Sequence, residues 1–177
     1  MPTKVLLLSI ALLPVSGSRL RTAVIQPQTN LFLFGVINDD GQHYQDEWRR
    51  GVRATTLELH WNQYEPQEGV YDQGYINHMK QVLAQLNAQG WFVQLVPGYQ
   101  YAPDWVFTNY PDMHYINQYS DKYDPDPATS GSYRVINAPF NPHARDLISN
   151  YLARVFQDFG PDSFSSVRVG GGVQGEL

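Results

Sequence analysis

Three short stretches of this 177-residue chain hold side chains able to do chemistry. One ends in a carboxylate, Glu176, reached through Ser166-Val-Arg-Val-Gly-Gly-Gly-Val-Gln-Gly-Glu-Leu177. Its first residues alternate like a short strand, and the glycines then let the backbone turn sharply and pass close to its surroundings. A carboxylate just beyond the C-terminal end of a strand is where a parallel α/β barrel keeps its catalytic groups. The second stretch is His60-Trp-Asn-Gln-Tyr-Glu-Pro-Gln-Glu-Gly-Val-Tyr71, and the third is Pro97-Gly-Tyr-Gln-Tyr-Ala-Pro-Asp-Trp105. Together they offer aromatic faces, amides and a carboxyl group. Binding a sugar ring and protonating a glycosidic oxygen ask for that set, with two carboxyls flanking the scissile bond.

The elements that must position these groups follow from hydrophobic pattern. Leu31-Phe-Leu-Phe-Gly-Val-Ile37 is a nearly continuous apolar run and predicts a buried strand. Residues 52–59 and 91–96 predict two more strands, and a fourth carries Val167 and Val169. Helices are expected over 43–50, 73–89 and 142–159. The second has Ile76, Met79, Val82, Leu83 and Leu86 on one face and Gly90 at its C-cap. The third has Leu147, Ile148, Tyr151, Leu152, Val155 and Phe156 inward. The loops expected between these elements run over 62–72 and 99–138, the second rich in tyrosine.

Strands alternating with helices imply an α/β fold with a parallel sheet. A complete (β/α)8 barrel takes about 250 residues. The expected fold is therefore the N-terminal part of a TIM barrel, about four strands with their helices, truncated after the fourth strand. The three chemical stretches each follow a strand, so in a barrel they converge on one face. Asn38, just past the first strand, and Tyr101, past the third, are further candidates for the substrate side. Glu58 alternates with Leu57 and Leu59 and is expected to point into the barrel, where a buried carboxylate needs a partner such as Arg53 or His60. Trp61 either lines a sugar site or caps the barrel, and Trp105 either stacks on substrate or packs. Glu65 is expected to fix its loop.

Composition excludes several alternatives. The net charge is −5 and no basic stripe is present, which argues against nucleic acid as a partner. The absence of cysteine rules out disulfides and thiolate metal sites. The histidines show no zinc-type spacing. Asp121, Asp124 and Asp126 miss the spacing of an EF-hand and are read as a solvated acidic loop. Neither metal nor cofactor is expected. Gly170-x-Gly172-x2-Gly175 has the form of a dinucleotide-binding turn, but it comes after three βα units and precedes no helix. At the N-terminus, Lys4 precedes an apolar run to Val15 and the small residues Ser16-Gly-Ser18. This is the pattern of a signal peptide over 1–18, with 19–177 as the mature catalytic region. The run is too short to span a bilayer, so no membrane contact is expected after its removal and the mature chain is expected to be secreted or periplasmic.

At these residues the chain resembles a known group. Trp61-x3-Glu65-Pro66-x2-Gly69-x-Tyr71 resembles the W-x3-E-P-x2-G-x-Y/F signature of (β/α)8 glycoside hydrolases, in particular the β-galactosidases of family forty-two. Ala102-Pro103-x-Trp105 and Asn141-Pro142-x2-Arg145 are similar to motifs after the third strand and at the next helix of those enzymes. The ending, Val169-Gly170-x-Gly172-x2-Gly175-Glu176-Leu177, is nearer the V-G-x-G-x2-G-E-L of the β-amylases. The resemblance runs from about Leu31 to Leu177. It implies hydrolysis of O-glycosidic bonds in a carbohydrate substrate, with Glu176 as general acid/base and a second carboxylate after a seventh strand that this sequence lacks. Where the galactosidases carry Asn before that Glu, this chain has Gly175. The alternative is a carbohydrate-binding protein on the same scaffold, without a working carboxylate pair.

Overall fold

The computed structural model describes residues 33–37, 43–123 and 135–170. Glu176, Asn38, the 1–18 segment, the acidic pair Asp124 and Asp126, and the glycine turn from 171 onward lie outside these residues. In chain order the strands are β1 (Gly35–Val36), β2 (Ala54–Glu58), β3 (Phe92–Val96) and β4 (Ser166–Val167). The helices are α1 (Tyr44–Arg49), α2 (Trp61–Tyr64), α3 (Gln73–Gln89), α4 (Asp104–Asn109) and α5 (Pro142–Phe159), with single 3-10 turns at Pro111–Met113 and Pro161–Ser163.

The strands form one sheet in the order β1-β2-β3-β4, and every pairing is parallel. Sequential parallel neighbours joined by helices are the repeat from which an α/β barrel is built. The register pairs Glu58 with Val96 and Leu95 with Val167, so the strand ends line up at one rim.

The long helices are set by their ends. Asp72 caps α3, its Oδ1 accepting from the Tyr75 N–H at 2.9 Å, and Gly90 closes the helix in the left-handed conformation at φ 88°. Asn141 caps α5 by accepting from the N–H groups of His143 and Ala144, and Pro142 occupies the first turn. Such a cap contributes about 1 kcal/mol. Between the caps, Ile76, Leu83 and Leu86 of α3 and Ile148, Tyr151 and Val155 of α5 are buried against Leu57, Leu59, Val93 and Leu95. Met79, Val82, Leu147, Leu152 and Phe156 pack at the edges of the same core.

Strand side chains alternate between two faces. Leu57 of β2 and Val93 and Leu95 of β3 therefore look toward the helices, and Thr56, Glu58, Gln94, Val96 and Ser166 look the other way, which in a barrel is inward. Gln94 Nε2 donates to Ser166 Oγ at 3.3 Å on that inner face.

The loops hold more structure than their sequence suggests. The 62–72 loop opens with α2, and the 99–138 loop contains α4 and a 3-10 turn. Both helices are too short for a clear 3.6-residue pattern, and their apolar residues serve the tertiary core. In the remainder, Asp121 is exposed and is held by Asn117 in a local turn.

Candidate functional site

The Trp61 motif is a self-clasping loop. The Trp61 indole N–H donates to Glu65 Oε2 at 2.9 Å, and the Gly69 N–H donates to Glu65 Oε1 at 2.9 Å. The Trp105 indole N–H, from the loop after β3, donates to the Glu65 carbonyl oxygen at 2.9 Å. The Trp61–Glu65 and Glu65–Gly69 spacings of this motif thus have a mechanical reason. One carboxylate one turn after the Trp satisfies the indole and the glycine amide, and the tryptophan of the neighbouring loop closes over its backbone. Glu65 has the loop-fixing role expected of it.

Trp61 itself is corrected. As a sugar-stacking residue it would need an open face, yet it is 0% exposed. Its ring stacks on Tyr151 at 5.0 Å and meets the edge of Trp105 at 5.9 Å. In place of the sugar-site role, the structure packs it between the sheet and α5. Trp105 is half-buried and pinned by its indole bond, so it seals the same loop while keeping part of its ring outward.

The loops after β2 and β3 are zipped by backbone. Leu59 N–H donates to Val96 O, Asn62 N–H to Tyr101 O at 2.9 Å, and Tyr101 N–H to Gly98 O at 3.0 Å. This close approach needs Gly98, whose φ is +68°. Behind the loops, Tyr151 donates its hydroxyl to the Pro97 carbonyl, and Tyr64 donates to Asp158 of α5.

On the rim of the inner face sits Glu58, the last residue of β2. Gln100 Nε2 donates to its Oε1 at 2.9 Å, and the Tyr101 side chain adds a second hydrogen bond. Burial pushes the Glu58 carboxyl above the usual carboxylate range. The bond from Tyr101, the positive charge of Arg168 and the bond from Gln100 each pull it down, but burial prevails. The His60 ring stacks on Tyr101 at 3.8 Å and 14°, and its burial lowers the imidazole pKa. The partners expected for Glu58 are corrected. Arg53 turns to the other side of the sheet, where it bonds the Trp48 carbonyl at 2.7 Å and lies over the Trp48 ring. His60 supports Tyr101 instead of meeting the carboxylate.

Gln100 and Arg168 are not among the candidates that the sequence suggests. The signal for Arg168 is its place between Val167 and Val169, since a charge on the inward step of an alternating strand is unusual. Gln100 carries no such signal, because only the turn at Gly98 brings it back over β2. The structure therefore assembles Glu58, Tyr101, Gln100 and Arg168 on one rim, with Trp105 beside the adjoining loop.

A parallel sheet backed by helices, with polar groups gathered at its C-terminal rim, defines the α/β-barrel class of enzyme scaffold. The family model for beta-galactosidases of glycoside hydrolase family 42 matches residues 42–158, and the chain belongs to that family. Solved structures agree on the fold. The beta-galactosidase from the psychrophilic Marinomonas ef1 superposes with a TM-score of 0.61 at 15% identity, covering 77% of this chain and 21% of that one. The cold-adapted beta-galactosidase from Rahnella sp. R3 gives 0.58 at 17% identity, covering 78% and 20%. A catalytic mutant of Gan42B, a family 42 beta-galactosidase from G. stearothermophilus, gives 0.53 at 19% identity, covering 85% and 22%. The chain thus spans about a fifth of the length of these relatives, and its sheet and helices match the N-terminal part of their TIM barrels. No curated protein is similar enough in sequence to match.

Proposed function

We propose that the full-length protein hydrolyses O-glycosidic bonds, with β-galactosides as the substrate class and Glu176 as general acid/base. The observation that carries this reading is the family match over 42–158, which spans the two zipped loops and the Glu58 rim. The rim supports it physically. A half-buried carboxylate, an amide and a phenol suit sugar hydroxyls, and Glu176 comes nine residues after Val167 of β4 in the same sheet. In this reading Glu176 protonates the departing oxygen. Retention of configuration would need a second carboxyl at about 5–5.5 Å, and inversion one at about 6.5–9.5 Å.

The test compares leaving groups in the full-length protein. Glu176→Gln keeps the shape but cannot donate a proton. Hydrolysis of alkyl β-galactosides should fall by about 10²–10⁴. The first step with an activated aryl galactoside, whose leaving group departs unprotonated, should be spared. Unchanged turnover of both substrates would remove Glu176 from the mechanism.

The same proposal includes export. The Lys4 to Ser18 pattern directs secretion, and the mature chain then begins near Arg19. N-terminal sequencing of protein from its native source decides this, since an intact Met1 or Pro2 on the abundant species contradicts it.

A further inference from the structure

We propose that Glu58 is a sugar-recognition residue, its carboxylate accepting hydrogen bonds from hydroxyl groups of the bound glycoside. The proposal rests on the glycosidase reading above and assigns one residue of that site a specific task.

Position comes first. Leu57 and Leu59 are buried against the helices, so the alternation of β2 turns Glu58 to the opposite, inner face. It is level with Val96 of β3, and the Arg168 N–H donates to Leu95 O, which brings Arg168 beside Val96 on the same face. Glu58 therefore stands at the C-terminal rim, where barrel enzymes meet their substrates.

Its surroundings prepare it as an acceptor. An ionised carboxylate offers about four lone-pair sites. Gln100 Nε2 and the Tyr101 side chain fill part of that capacity. Among the described residues no cation lies within ion-pair distance of it, and Arg168 acts only as a nearby charge. The carboxylates kept for structure here have both oxygens engaged or an ion pair beside them, Glu65 by the Trp61 indole and the Gly69 amide and Asp158 by Arg154 at 2.8 Å.

Gln100 adds an independent sign. It is 3% exposed, and its Oε1 has no hydrogen-bond partner among the described residues. Glu58 can only accept, so the amide nitrogen must face it, which fixes the orientation of the carboxamide. A buried carbonyl oxygen without a donor is costly, about 1–3 kcal/mol in ordinary protein settings. Two acceptors side by side call for a ligand dense in donors, and a polyol has that chemistry. The site is also rigid. Tyr101 is backed by the stacked His60 ring, and the two loops share backbone hydrogen bonds. Little ordering is left to do on binding.

The test uses the full-length protein and a series of monodeoxy aryl β-galactosides. The wild type should lose roughly 10- to 100-fold in kcat/KM on at least one deoxy substrate, the range for a hydrogen bond to a charged group. Glu58→Gln should show a similar loss on the parent galactoside and no further loss on that deoxy substrate. Glu58→Asp keeps the charge but shortens the reach, and it carries the same test with a smaller selective loss if the amide variant does not fold. An equal loss across the whole series, with a lowered Tm, would mean that Glu58 only supports the loops and would overturn the proposal. Wild-type discrimination in both variants would overturn it too. A wild type that neither binds nor hydrolyses any galactoside would overturn the glycosidase reading, and this proposal with it.

Discussion

A Cβ placed on Gly98 would stand 1.4 Å from the carbonyl oxygen of Leu59. The loop after β3 therefore lies directly on the end of β2, and the site rim depends on that contact. It is what allows Gln100 to fold back over Glu58 and Tyr101 to bond Asn62.

Gly98→Ala should destabilise the protein by about 3 kcal/mol or more, since steric overlap with backbone adds to the strain of a positive φ. Gly51 is the control. Its φ is +94°, but nothing lies within 4 Å of an added Cβ, so Gly51→Ala should cost only about 1–2 kcal/mol. Chemical denaturation of both variants is the measurement, and equal midpoints would show that the close approach does not hold.

Trp61 and Glu65 should be energetically coupled. Glu65→Gln replaces an acceptor oxygen with a donor that cannot serve both the indole and the Gly69 amide. Trp61→Phe removes the indole donor and leaves a buried carboxylate oxygen unpaired. Each change should cost about 1.5–3 kcal/mol, and the double variant should cost less than their sum by about 1 kcal/mol or more. Simple additivity in a double-mutant cycle would contradict the clasp.

Asp158 should make part of the stability depend on acid pH. Burial raises its carboxyl pKa, but the hydrogen bonds from Arg154 and Tyr64 and the charges of Arg154 and Lys80 outweigh it, so the pKa lies below the usual aspartate value. A depressed pKa means that the folded state favours the ionised form. The contribution is full above the unfolded value, about 4, and fades as the pH falls through the lower folded one. Asp158→Asn should therefore melt lower than wild type at pH 7, and its Tm should decline less steeply below about pH 4. Parallel Tm–pH curves for the two proteins would refute the assignment.

Much of the fold is legible because long helices announce themselves. The expected 73–89 and 142–159 helices are those observed, since caps and a sustained apolar stripe are properties of local sequence. The strands are shorter than their apolar runs, because a ladder of backbone hydrogen bonds ends where the neighbouring strand ends, as at β4 with two residues. The helices α2 and α4 leave no signature in the sequence, because at four and six residues they are stabilised by what they pack against.

For the site, the sequence by itself determined which loops follow which strands, and hence that the Trp61 and Tyr101 stretches meet at one rim. Strand alternation also placed Glu58 on the inner face. Only the tertiary structure decided how the polar groups pair. It sent Arg53 to the Trp48 side, gave Glu58 to Gln100 and Tyr101 in place of Arg53 and His60, and took Trp61 out of the sugar-binding candidates by burying it between the sheet and Tyr151. Periodicity specifies the face on which a side chain lies. Its partner depends on how closely two backbones approach, and here that distance is set by a single glycine at position 98.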